Sequence, residues 1–301
     1  MTAVIEVRRL VKRFGPVVAV HELSFDVESA TVTGFLGPNG AGKTTTLRAL
    51  LGLVNPTSGT ATVFGQPYRE LDDPSRRIGA ALEASGFHPG RRAIDHLRIA
   101  AIAAGIPEAR AGAALAEVGM EPVAERRVGG FSLGMRQRLA LAGALLGQPE
   151  VLVLDEPANG LDPEGIHWMR GFLRSYADQG GTVLISSHVL SEVAQTVDHV
   201  VIVAGGRLVA SSTLAELVEH RSGGAVRMRS EQAGPLRDAL VARGAAATLA
   251  DADSVVVTGA DARDVGRMVA ETGLPVFEMT TEGSNLEDIF LDLTSSEAGD
   301  L

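Results

Sequence analysis

Apolar residues in this chain come mostly in short blocks, and the clearest of them is Val151-Leu152-Val153-Leu154. Four apolar residues without alternation predict a strand covered on both faces, hence a parallel sheet with helices on either side. Shorter β-rich runs at residues 5–8, 24–27, 32–36, 60–64, 78–82 and 182–186 predict further strands. Helical spacing covers residues 44–51, 139–147 and the stretch from Asp162-Pro163 to about Gln179. Residues 93–118 are alanine-rich and broken at Gly105-Ile106-Pro107, so two helices are expected there, in a subdomain over about 84–147. A hairpin (200–203 and 207–211) and a helix (213–221) close a first domain at residues 1–221.

After Ser222-Gly223-Gly224, which reads as a linker, the pattern resets. Strands at 225–229, 246–250, 254–258 and 275–280 alternate with helices at 235–243, 262–272 and 286–293. This predicts a small α+β domain over 225–301. Ser284 and Glu287 bracket the last helix as a capping box. No catalytic constellation falls in this domain, so a docking or regulatory role is expected. The overall fold class expected is α/β: a phosphate-loop nucleotide-binding domain with a mainly parallel sheet, antiparallel strands and a helical subdomain, followed by the small α+β domain.

The phosphate loop is Gly37-Pro38-Asn39-Gly40-Ala41-Gly42-Lys43-Thr44-Thr45, which fills every fixed position of G-x-x-x-x-G-K-[ST] between a predicted strand and a predicted helix. Glycines let successive backbone N–H groups converge on phosphate oxygens, and the helix start adds positive potential behind them. Lys43 is expected at the β- and γ-phosphates and the Thr44 hydroxyl at Mg²⁺. Among 27 basic residues only Lys12 and Lys43 are lysine, so a compact ammonium is retained at the loop where arginine is used almost everywhere else. The strand 151–154 runs into Asp155-Glu156, which supplies the acidic half of such a site: Asp155 for Mg²⁺, and Glu156 to polarise a water in line with the γ-phosphate. His188 follows the strand 182–186 at the carboxyl edge of the sheet, where it can meet the γ-phosphate; a polar packing role is the other reading. Ser132 precedes a helix as an N-cap, which serves equally to cap a structural helix or to build an anion site. Phe14, in the turn Lys12-Arg13-Phe14-Gly15-Pro16, either stacks on an adenine face or closes the edge of the core.

Composition narrows the class. A net charge of −10 and the absence of basic runs weigh against nucleic acid as a partner. There is no Cys for disulfides or thiolate metal sites. The N-terminus lacks a signal pattern and no apolar run is long enough to cross a bilayer, so a membrane role is expected only through a partner.

Residues 1 to about 220 resemble the ATPase subunit of an ATP-binding cassette (ABC) transporter. The resemblance rests on the order of five motifs: the phosphate loop, Phe131-Ser132-Leu133-Gly134-Met135 as a variant of the family signature Leu-Ser-Gly-Gly-Gln, Leu154-Asp155-Glu156-Pro157, Gly160-Leu161-Asp162 and Ser187-His188. It implies a head-to-tail pair of subunits in which each ATP lies between the phosphate loop of one and Ser132 and Gly134 of the other. In that picture Glu156 is the general base, His188 holds the γ-phosphate, Asp162 links the two sites and Phe14 stands on the adenine. A membrane permease encoded separately and a location at the cytoplasmic face of the membrane follow from the same resemblance.

Glu83 stands where the family usually has Gln, at a position that senses Mg²⁺ and contacts the membrane subunit; a carboxylate keeps oxygen ligands there but adds charge. Leu133 and Met135 replace one Gly and the Gln of the signature, a pattern similar to the drug-, antibiotic- and lantibiotic-resistance exporters, including the bacitracin and daunorubicin types. The tail from Asn285 to Thr294 also resembles such subunits. The expected function is export of a drug, antibiotic or lipid-like compound; a soluble ATPase of the same family acting on ribosomes or DNA is the competing expectation.

Overall fold

A computed structural model describes residues 2–82, 86–221 and 225–282. One compact unit takes the chain up to Thr213 and a second begins at Leu214. The first unit starts with a long antiparallel hairpin, β1 (Ala3–Phe14) and β2 (Val17–Glu28), turning at Gly15-Pro16. β3 (Val32–Leu36) leads into helix α1 (Lys43–Leu50), and β4 (Ser58–Val63) returns to pair with β1. The short α2 (Pro74–Arg77) precedes β5 (Ile78–Ala81). Then come the helices α3 (Ala93–Ala103), α4 (Arg110–Glu117) and α5 (Leu133–Ala144). β6 (Val151–Leu154), α6 (Pro163–Asp178), β7 (Thr182–Ser187), the short α7 (Leu190–Val193), β8 (His199–Ala204) and β9 (Arg207–Thr213) complete the unit.

These strands make two sheets. One is antiparallel, in the order β2-β1-β4. The other has the order β5-β6-β7-β3-β8-β9, parallel except for β9. Every residue of β3, β6 and β7 is buried; β6 is apolar without alternation for that reason, and β3 and β7 also bury the hydroxyls of Thr33, Thr182, Ser186 and Ser187. Phe25 of β2 and Phe35 of β3 stack at 5.1 Å between ring centroids and join the two sheets in a single core. A buried Phe contributes about 1.5–3 kcal/mol. Leu97, Ala111, Ala114, Leu115 and Leu139 are fully buried among α3, α4 and α5.

The first strand is longer than the pattern predicts. Ile5, Val7 and Leu10 are all buried, so the inward positions are spaced by two and then by three residues. Register shifts between Val7 and Leu10, and Arg9 in a left-handed conformation at φ 43°, show the β-bulge responsible. The bulge breaks the period-two signal, so the run reads as a short strand and a loop. α5 begins at Leu133 rather than Leu139, because the Ser132 hydroxyl accepts a hydrogen bond from the Met135 N–H and starts the helix there.

The second unit opens with α8 (Leu214–Arg221). It continues as β10 (Ala225–Arg229), α9 (Ala233–Val241), β11 (Ala246–Asp251), β12 (Ser254–Thr258), α10 (Ala262–Thr272) and β13 (Glu278–Glu282). The sheet is antiparallel, in the order β11-β12-β10-β13. This β-α-β-β-α-β connectivity is the ferredoxin-like arrangement. One face of the sheet, with Val226, Met228, Val255 and Val257, packs with Leu236, Leu240, Val265 and Val269 of the two helices. The expected helix at 286–293, its Ser284–Glu287 capping box and the tail from Asn285 lie outside the described residues.

Candidate nucleotide-binding site

The loop Gly37–Thr45 connects β3 to α1 and folds as the glycines dictate. Gly42 sits at φ 93°, and a Cβ there would stand 2.4 Å from the Ala19 carbonyl oxygen. A Cβ on Gly37 would be 2.3 Å from the Val203 carbonyl oxygen. Both clashes are with backbone of neighbouring strands, so neither position admits a side chain without moving the sheet. The loop and Glu156 line a shallow depression of about 220 Å³, with Ala19 at its rim.

Lys43 is almost fully buried and its ammonium donates to the carbonyls of Gly37 (2.5 Å) and Pro38 (3.3 Å). It also forms an ion pair with Glu156, Nζ to Oε1 at 3.3 Å. The Thr44 hydroxyl donates to Asp155 Oδ2 at 2.7 Å. Glu156 Oε2 lies 2.8 Å from His188 Nδ1. Strands β6, β7 and β3 are adjacent, and their carboxyl ends thus bring Lys43, Thr44, Asp155, Glu156 and His188 into one cluster.

The turn from Asp155 to Glu156 is unusual. Glu156 adopts φ 50°, a left-handed conformation that non-glycine residues avoid. Its N–H donates to the Ser186 hydroxyl at 2.9 Å, and that hydroxyl donates in turn to Asp155 Oδ1. Ser186 is a site residue that reading the sequence misses. Its position on a β-rich strand gives no sign of it; only the pairing of β6 with β7 brings it to the acids.

A hydroxyl and a carboxylate side by side, Thr44 and Asp155, are hard oxygen donors of the kind Mg²⁺ takes when phosphate oxygens and water complete its shell. Among the described residues no group of three or more His, Cys, Asp or Glu could hold a metal ion by itself.

The remaining expected residues lie elsewhere. Phe14, half exposed at the end of β1, does not line the depression; the Lys12 ammonium sits 4.7 Å from its ring centroid and donates to the Asn55 carbonyl. Ser132, Leu133, Gly134 and Met135 form the start of α5 and are also absent from the lining. Instead this turn meets the loop after β6: a Cβ on Gly160 would stand 2.5 Å from Leu133 Cδ2, and one on Gly134 3.5 Å from Leu161 Cδ2. Asp162 caps α6, accepting from the Gly165 N–H at 2.9 Å. Glu83 lies outside the described residues. A larger concavity among the described residues, about 670 Å³, is lined by Glu150 and Thr182, next to or in the first residues of β6 and β7, at the opposite end of those strands from Asp155. The smaller depression suits phosphates, which are held by converging backbone amides rather than by cavity volume.

The family model for "ABC transporter" matches residues 20–159, from β2 to the loop beyond Glu156. The bacitracin transport ATP-binding protein BcrA of Bacillus licheniformis is 46% identical over 211 residues, 69% of this chain and 69% of that protein. The chain belongs to the ATP-binding subunits of ABC transporters. An ABC subunit named Nod factor export ATP-binding protein I, from Burkholderia lata, is 36% identical over 306 residues and covers 99% of both chains. A solved structure of the ATP-binding subunit of an ABC transporter superposes with a TM-score of 0.64 at 28% identity, over 73% of this chain and 93% of the other. Residues 224–287, most of the second unit, match a domain of unknown function. As an ABC ATPase, the chain agrees in fold and activity with the expectations from sequence.

Proposed function

We propose that this ATPase binds Mg-ATP in a head-to-tail dimer and that closing and reopening of the dimer drives a separate membrane permease that exports a drug, antibiotic or lipid-like compound. The observation that carries the mechanism is the Lys43–Glu156–His188 cluster next to the Thr44–Asp155 pair. Gly37, Pro38, Asn39, Gly40, Ala41, Gly42 and Thr45 supply the backbone cradle for the phosphates. When a triphosphate binds, Lys43 exchanges its loop carbonyls for phosphate oxygens. Thr44 and Asp155 would hold Mg²⁺, which neutralises charge on the phosphates. Glu156 takes a proton from the attacking water as the oxygen bonds to the γ-phosphorus and the bond to ADP breaks; His188, on the other carboxylate oxygen, orients Glu156 and faces the γ-phosphate.

Ser132, Leu133, Gly134 and Met135 complete the partner subunit's site, Asp162 links the two sites, and Phe14 supports the adenine. Glu83 contributes at the metal and the permease contact. Export and the class of cargo are supported by the names of the relatives, which include bacitracin transport and Nod factor export proteins. No helix among the described residues is long and apolar enough to cross a membrane; the separate permease and the place at the cytoplasmic face of the membrane are supported by the transport names of the relatives.

The decisive experiment is Glu156→Gln. Removing the base lowers kcat by about a hundredfold or more, while ATP binding persists and an ATP-bound dimer accumulates, detected by size-exclusion chromatography with light scattering. Hydrolysis at the wild-type rate would remove Glu156 from the base role.

A further inference from the structure

We infer that Ser186 is a positioning residue for both acids of the site, setting the metal-binding oxygen of Asp155 and the turn that aims Glu156 with one hydroxyl. The inference rests on the Mg-ATPase reading above.

Ser186 lies near the end of β7, fully buried, beside β6 in the sheet. A buried hydroxyl without partners is costly, so its bonds indicate what it is for. It has one proton, and that proton goes to Asp155 Oδ1. Its lone pair takes the Glu156 N–H at 2.9 Å. The two bonds are directional and opposite in sense, so the hydroxyl cannot exchange them.

Asp155 thereby has one oxygen tied to Ser186 and the other to Thr44. Thr44 belongs to the phosphate loop and would give its oxygen to a bound Mg²⁺. Ser186, with no exposure, cannot touch substrate or metal and keeps its bond. It therefore fixes the rotation of the carboxylate and leaves Oδ2 facing the phosphate loop. The second bond acts on the backbone: Glu156 is in the left-handed region at φ 50°, and a hydrogen bond to its N–H holds that conformation against relaxation. The neighbouring Ser187 hydroxyl bonds only with the backbone of Val189, so the bridging role belongs to Ser186 among the two serines.

The test compares Ser186→Ala and Ser186→Thr with wild type in three measurements on the full chain. The measurements are ATP affinity in EDTA, the Mg²⁺ concentration that half-maximally tightens ATP binding, and kcat against KM. Loss of a hydrogen bond to a carboxylate predicts that Ser186→Ala raises the Mg²⁺ midpoint by about tenfold. It lowers kcat by about tenfold or more with KM changed less, and leaves metal-free ATP affinity within about twofold. Ser186→Thr, which keeps the hydroxyl, recovers the midpoint and kcat. An unchanged midpoint and kcat in Ser186→Ala overturns the inference, as does equal loss of metal-free affinity. Should the alanine variant not fold, Ser186→Cys replaces it: its thiol is a weak donor, so a raised Mg²⁺ midpoint supports the inference and a wild-type midpoint overturns it. A wild-type chain without hydrolysis would defeat the ATPase reading alone, since the binding midpoint still reports on Ser186.

Discussion

Glu156 combines a strained backbone with three interactions, and each restricts where its carboxylate can go. Lys43 holds Oε1, His188 holds Oε2, and Ser186 holds the main chain. Replacing Lys43 with Ala is expected to weaken ATP binding at least about tenfold, since a buried charge-assisted contact to phosphate is lost; isothermal titration with ATP checks this. Elsewhere, burial pushes the His96 imidazole below its usual range, helped by the nearby positive charge of Arg91. The unfolded chain therefore takes up a proton that the folded chain resists as pH falls through the ordinary histidine value, about 6.5. Stability should fall as pH is lowered through that value and recover above it. Urea unfolding at several pH values is the measurement, and His96→Phe, which keeps the edge-to-face contact with Phe87, should flatten the dependence.

At the scale of elements, the loop between β3 and α1 is the most constrained. Gly42→Ala would put a methyl into the Ala19 carbonyl at a left-handed φ, so ATP binding should be lost even where the chain folds, as read by nucleotide titration beside circular dichroism. Ser132→Ala removes the cap of α5 and should cost about 1 kcal/mol in denaturant unfolding. Much of this was legible in advance. The phosphate loop, the buried run 151–154 with its two acids, and the serine cap each depend on residues adjacent in sequence. What escaped depends on register between distant segments. The bulge at Arg9 hides half of β1, because alternation is read by counting and the bulge resets the count. Ser186 gains its meaning only from β6 lying beside β7. Phe14 is named by its motif, yet its half-exposed ring beside Lys12 could not be read from spacing.

At the scale of the whole molecule, the candidate site residues described above lie in the first unit, and the second has a ferredoxin-like sheet with surface ion pairs such as Arg229–Asp253 at 2.6 Å. In the head-to-tail dimer proposed above, a subunit with one phosphate loop and one signature would work with a mate and a membrane partner. Purification from membranes should therefore recover a protein with several membrane-spanning helices; recovery with ribosomes or DNA instead would count against export. A net charge of −10 is in keeping with the first outcome.

The contact of Leu133 with Gly160 has a mechanical corollary. Because glycine leaves a notch that the leucine fills, the tip of α5 and the segment leading to Asp162 behave as peg and socket. In the head-to-tail dimer proposed above, a subunit pressing on that tip would also press on the segment between Glu156 and Asp162 through the Leu133 methyl.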